Sequence, residues 1–176
     1  FILDLRYNSG GEMECVQLLA DILVPADRLE SPFAFLQYND KQSSKNRDLI
    51  LDSQLLQGGA NLNLPKVYII TSGTTAGAAE MLINCLKPYM TIVLIGQTTK
   101  GEYVATETFI NPKYPWALRP VVCEVFNSNG EANYSTGFKP DISINETSYL
   151  QYYLPLGDPN EILLNTALGV IAGVIE

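Results

Sequence analysis

The sequence contains no histidine. That absence excludes a Ser-His-Asp or Cys-His centre made from this chain alone, and it removes the commonest general base and metal ligand. Cysteine is scarce. Cys15, Cys85 and Cys123 lie far apart with no CxxC spacing, which argues against a zinc site and against a disulfide framework. They read as small buried hydrophobes. Positive charge is also short, with 11 Lys and Arg against 19 Asp and Glu and a net charge of −8. A surface this acidic repels phosphate backbones, so nucleic acid is not an expected partner. No long hydrophobic run is present: ALGVIAG near the end is too short to span a bilayer. No signal peptide is visible either. The chain opens on FILDLR, which reads as a buried strand. The expectation is a piece of a longer chain cut at a domain boundary, with any targeting segment in the missing part.

What is there reads as one globular domain over residues 1–176, with 47% hydrophobic and 17% charged residues. Residues 1–5 form an apolar strand. The turn-rich loop RYNSGG leads into a helix from Glu12 to Leu23, with Met13, Val16, Leu19, Ala20 and Leu23 on one face and Pro25 as its stop. SPFAFLQYN reads as a strand, DKQSSKNRD as an exposed loop, and residues 48–57 as a helical stretch. KVYIIT (66–71) and TIVLIG (91–96) are buried strands flanking the helix AAEMLINCLKPY, which Pro88 closes. This strand–loop–helix–strand order favours an α/β sheet with helical crossovers. From residue 103 the pattern turns to β. VATETFI and PVVCEVF read as strands, NSNG as a hairpin-type turn toward a further strand ANYST, and GFKPDI as a rigid exit turn. A terminal helix is expected from Asp158 as N-cap, with Pro159 at its first position.

Three loops follow three apolar strands: RYNSGG, SGTTAG and QTTKGEY. In open α/β sheets the carboxyl ends of strands are where sites form. Two of these loops are glycine-rich, so their N–H groups are candidates for an oxyanion-type nest.

FILDLRYNSGG, KVYIITSGTTAGAAEMLINCLKPY, TIVLIGQTTKGEYV, GFKPDI and LGDPNEILLNTAL follow one another in an order that resembles the carboxyl-terminal-processing (tail-specific) serine peptidases, especially their Bacteroidetes-type members. The resemblance runs from residue 1 to about residue 172. It implies an α/β fold, the ββα superhelix of the Clp-protease and crotonase type, with a β-rich C-terminal part. It also implies an exported protein, periplasmic or lipid-anchored in a bacterial envelope, with an N-terminal region and any PDZ-type domain outside this stretch. The implied partner is a peptide or an unfolded protein C-terminus; no cofactor and no metal are implied.

In that family the nucleophilic Ser lies three residues before the Glu of the helix start. Here that Glu is Glu80, which puts Gly77 at the Ser position. The general-base Lys follows a Thr-x-Gly turn, here Thr99 to Gly101, which puts Glu102 at the Lys position. The two positions stand 25 residues apart, as the family motif requires. A family Gln falls on Thr106, and the oxyanion donors fall on Gly10 or Gly11 and on the backbone around Gly77 and Ala78. Gly77 offers no nucleophile, and Glu102 is no neutral amine. Hydrolysis by the family mechanism is therefore expected to be absent. Two rescues are open to the residues: a displaced dyad of Ser72 and Lys100, and Glu102 activating a water in the space at Gly77. Lys100 and Glu102 otherwise read as solvated loop charges, Glu80 as a helix N-terminal carboxylate, and Asp4 with Arg6 as a local ion pair.

Overall fold

The computed structural model describes residues 1–148 and 153–175. Tyr149 and Tyr152 lie outside the described residues. The apolar runs form a parallel sheet in the order β1-β4-β5-β10, from β1 (Ile2–Asp4), β4 (Lys66–Thr71), β5 (Thr91–Gly96) and β10 (Ile142–Ser143). A second, antiparallel sheet runs β3-β2-β9-β6, from β2 (Pro32–Tyr38), β3 (Arg47–Ile50), β6 (Val104–Thr106) and β9 (Val121–Asn127). β7 (Phe109–Ile110) and β8 (Ala117–Leu118) pair only with each other. This mixed α/β architecture is the one expected from the alternating pattern.

Among the described residues three α-helices pack on these sheets. α1 (Met13–Leu23) follows the first loop, α2 (Ala78–Leu86) follows the second, and α3 (Ile162–Ile171) packs along β4 and β5. Every residue of α2 after Ala78 is buried. A helix covered on all sides belongs inside a fold, and α2 packs against α1, β2 and β9. The core joins Leu23, Phe33, Leu36, Leu51, Ile69, Ile83 and Leu86 into one cluster. The position of α2 matters because its N-terminus carries the Gly77 turn.

Several expectations are corrected. Residues 47–50 form a strand rather than the start of a helix, because Arg47, Asp48 and Leu49 pair with Leu36, Phe35 and Ala34 of β2. Only a 3-10 turn at Ser53–Leu56 remains of the helical stretch, and a second one, Asp40–Lys45, lies in the exposed loop. VATETFI divides into β6 and β7. ANYST is not a strand, because the Asn127 carboxamide oxygen accepts from the N–H groups of Asn129 and Glu131 and closes the turn on itself. The GFKPDI segment ends in a short strand, as Ile142 pairs beside Ile95. α3 begins at Ile162 rather than at Pro159. Its cap is Glu161, whose carboxylate accepts from Leu163 N–H at 3.1 Å and Leu164 N–H at 3.0 Å. Cys85 and Cys123 are buried as read, but Cys15 is exposed, and all three are free thiols.

Asp21 on α1 is fully buried. One carboxylate oxygen accepts from Asp52 N–H at 3.0 Å, and the other has no partner among the described residues. Burial pushes its pKa from 3.8 up to about 6; the Asp52 N–H opposes this, and the charges of Asp52 and Glu30 add to it. The folded chain thus holds this proton more tightly than the unfolded chain. Stability is expected to fall as pH rises from about 4 to about 6, and to stay reduced above that. Asp21→Asn keeps the acceptor for Asp52 N–H and removes the charge. It is expected to gain about 1–3 kcal/mol at pH 8 and nothing at pH 4, as read by urea unfolding at the two pH values.

Candidate active site

The first loop leaves β1, the second leaves β4 and the third leaves β5, so the parallel sheet delivers all three to one end. They are tied together by buried polar groups. Thr75 is fully buried; its hydroxyl donates to Leu5 C=O at 2.7 Å and accepts from Ser72 N–H at 2.9 Å. Its own carbonyl accepts from Lys100 N–H at 2.9 Å. Ala76 N–H donates to Asn8 C=O at 3.0 Å. One threonine thus bonds to all three loops.

Glu80 is the stronger tie. Its carboxylate is fully buried in the first turn of α2. One oxygen accepts from Thr99 Oγ1 at 2.5 Å and Gly101 N–H at 2.7 Å. The other accepts from Glu102 N–H at 2.7 Å and Gly77 N–H at 3.2 Å. Such convergence of N–H and O–H donors is how a charged group is made tolerable in a core. It is a buried scaffold, not only the helix-end carboxylate read from its position. Gly101 closes the third loop against the chain at φ +93°, where an added Cβ would lie 2.4 Å from Ser135 C=O. Only glycine fits there.

The result is that Gly77 and Glu102 face each other. Gly77 precedes α2 at φ 53°, ψ −114°, a backbone that L side chains rarely adopt. A Cβ added there would stand 3.6 Å from Glu102 Oε2 and 3.5 Å from Gly10 Cα, distances of ordinary contact. A Cβ would therefore meet no clash, although the positive φ would strain any L side chain there. Both residues line a cleft of about 600 Å³ together with Gly10, Gly11, Ala78, Met81, Thr106 and Tyr134.

Gly10 N–H is engaged by the Asn8 side chain at 3.0 Å. Among the described residues no protein acceptor takes the N–H groups of Gly11 or Ala78, and Ala78 N lies 3.9 Å from where a Cβ on Gly10 would be. Thr106 ends β6, and its hydroxyl accepts from Arg119 Nε at 2.9 Å. Ser72 and Lys100 are not brought together. Ser72 is buried, with its hydroxyl donating to Arg6 C=O and lying 2.9 Å from Thr74 Oγ1. Lys100 Nζ pairs with Glu102 Oε1 at 2.6 Å. That hydrogen bond raises the Lys100 pKa and keeps the amine protonated, the opposite of what a general base requires.

Arg6 extends well beyond a local pair with Asp4. Its buried guanidinium also donates to Glu146 Oε2 at 3.1 Å and to both Glu161 oxygens at 3.0 and 2.9 Å. It fastens the first loop to the cap of α3. Burial lowers the Arg6 pKa, but the hydrogen bonds to Glu161 and Asp4 outweigh it and the net shift is upward.

A cleft at the carboxyl end of a parallel sheet, with a helix-capping position facing the third loop, defines an α/β core with a strand-end site. Residues 1–144 match peptidase family S41, and the chain belongs to that family. An S41 protease structure from Bacteroides fragilis is 52% identical over 100% of this chain and 45% of its own, with a TM-score of 0.96. This chain therefore spans less than half of that protein. A lipoprotein from Streptococcus agalactiae shares the fold at 22% identity and a TM-score of 0.63, over 99% of this chain and 54% of its own. A photosystem II D1 C-terminal processing protease shares it at 22% identity and 0.61, over 82% and 34%.

Glu80→Ala strands the N–H groups of Gly101 and Glu102 and the Thr99 hydroxyl. It is expected to cost about 3–5 kcal/mol of unfolding free energy, measured by urea denaturation. Glu80→Gln keeps the shape but turns an acceptor into a donor, and is expected to cost at least about 1 kcal/mol.

Proposed function

We propose that this S41-family domain does not cleave peptides and instead binds an extended peptide segment, such as an unfolded protein C-terminus, in its cleft. The observation that carries the reading is the facing pair Gly77 and Glu102: a position without a side chain opposite a carboxylate. A Ser-Lys dyad needs a hydroxyl and a neutral amine in hydrogen-bond reach, and this pair supplies neither. One of the two Glu102 oxygens, Oε1, is also already engaged by Lys100 Nζ at 2.6 Å.

The wall of the cleft supports peptide binding. β6 is the last strand of its sheet, and residues 102–108 line the cleft. Its register sets Val104 opposite Glu124 and Ala105 opposite Cys123, and Val125 N–H donates to Tyr103 C=O. Antiparallel alternation then directs the N–H and C=O of Val104 away from β9. An added peptide strand would use them, with Met13, Met81, Val121 and Val125 nearby to take apolar side chains. A location in the bacterial envelope, exported and periplasmic or lipid-anchored, belongs to the same proposal. It rests on the family and is tested by cell fractionation.

Fluorescence anisotropy with a labelled unstructured peptide is expected to show binding without cleavage. Val104→Pro removes one outward N–H at an edge position that tolerates proline. It is expected to weaken binding about tenfold while leaving the unfolding midpoint nearly unchanged. Casein hydrolysis by the unmodified full-length protein that vanishes on Glu102→Gln would overturn the reading. The pair of substitutions Gly77→Ser and Glu102→Lys tests whether the scaffold still supports hydrolysis.

A further inference from the structure

Between Glu107 and Glu124 the chain carries Lys113, Arg119 and no acidic residue. In a protein of net charge −8 this is a local inversion of sign. The same segment holds the β7–β8 hairpin, which forms a sheet of its own. Phe109 pairs with Leu118 and Ile110 with Ala117. Neighbouring residues of a strand point to opposite faces, so Phe109 and Leu118 share one face and Ile110 stands on the other. Both faces are open: Ile110 is 76% exposed, Leu118 59% and Trp116 50%, with Tyr114 and Val121 also exposed. The tip is ordered rather than loose. Asn111 Oδ1 accepts from Lys113 N–H at 2.8 Å and Tyr114 N–H at 3.0 Å, and Asn111 N–H donates to Trp116 C=O at 3.1 Å.

Exposed apolar side chains scattered singly need no account, but a projecting ribbon of them does. A flat protein partner covers one face of a ribbon and leaves the other wet. A lipid interface surrounds both. Trp and Tyr favour the headgroup level because one end of each ring system is apolar and the other polar. Lys and Arg beside them are drawn to anionic headgroups. Among the described residues no helix is long and apolar enough to cross a membrane. We propose that the β7–β8 hairpin is a wedge that seats this domain on an anionic lipid surface.

The hairpin borders the cleft, since Thr108, Arg119 and Val121 contribute to its lining. Seating the wedge in a membrane would hold the cleft mouth close to the lipid plane. The segment offered to the cleft would then be one lying near that plane.

Trp116 is the single tryptophan of residues 1–176, and its emission is isolated in the full-length protein as the difference between the unmodified protein and Trp116→Phe. The test is flotation with vesicles of phosphatidylcholine alone and of phosphatidylcholine mixed with phosphatidylglycerol, at low salt, with Trp116 emission read in parallel. The expected result is flotation on the mixed vesicles with a blue shift of emission, weakened by added salt. Lys113→Gln is expected to lower partition onto the mixed vesicles about fivefold. Ile110→Ser combined with Leu118→Ser is expected to abolish the blue shift while leaving the unfolding midpoint unchanged. No flotation on mixed vesicles, or flotation that ignores all three substitutions, would overturn the proposal. A blue shift that grows with protein concentration in the absence of vesicles assigns the ribbon to a second copy of the chain and overturns it as well.

Discussion

A carboxylate buried in the first turn of a helix holds this site together. Glu80 accepts from Gly77 N–H, Thr99 Oγ1, Gly101 N–H and Glu102 N–H. Those donors come from the second and third loops, so one side chain sets the distance between the two positions that matter. Removing water from a charged group is costly unless protein dipoles replace it. Here the replacing dipoles are the backbone of the site itself, and the cost of burying the charge is offset by the same bonds that give the cleft its shape. Arg6 repeats the arrangement with the opposite sign, fastening the first loop to Glu146 and Glu161.

The frame is therefore intact while the reacting groups differ. Gly77 presents bare backbone beside Gly10 and Glu102, and the Gly11 and Ala78 N–H groups have no protein acceptor among the described residues. Donors alone stabilise an anion; they do not form one. Glu102 Oε2 stands 3.6 Å from where a Cβ on Gly77 would be, so a carboxylate faces the nucleophile position where a Ser-Lys dyad needs a neutral amine. Lys100, held protonated by Glu102, supplies no base. On the proposed reading, such a site keeps the frame of the S41 family and would grip a chain rather than cut it.

Much of this was legible in the residues. The parallel strands KVYIIT and TIVLIG, the helix between them and the three strand-end loops are written in runs of apolar residues bounded by glycine and threonine. The assignment of Gly77 and Glu102 to the two family positions came from the anchors Glu80 and Thr99 to Gly101 once the resemblance was in view; that the two residues face each other came only with the fold. What periodicity missed was decided by contacts distant in sequence. Arg47 to Ile50 become a strand because β2 lies beside them. ANYST loses its ladder to the Asn127 side chain. Glu161, not Asp158, caps α3 because Arg6 and the first-turn N–H groups claim it together. The roles of Thr75 and Glu80 as ties among loops left no periodic trace, since a single buried polar residue carries no pattern.

The central claim is that the fold of a serine peptidase persists here without a reactive hydroxyl. Incubation of the full-length protein with a serine-reactive phosphonate, followed by intact-mass spectrometry and peptide mapping, tests it most directly. The account predicts no adduct on residues 1–176, including Ser72, Thr74 and Thr75. A stoichiometric adduct on any hydroxyl of the three loops would contradict it.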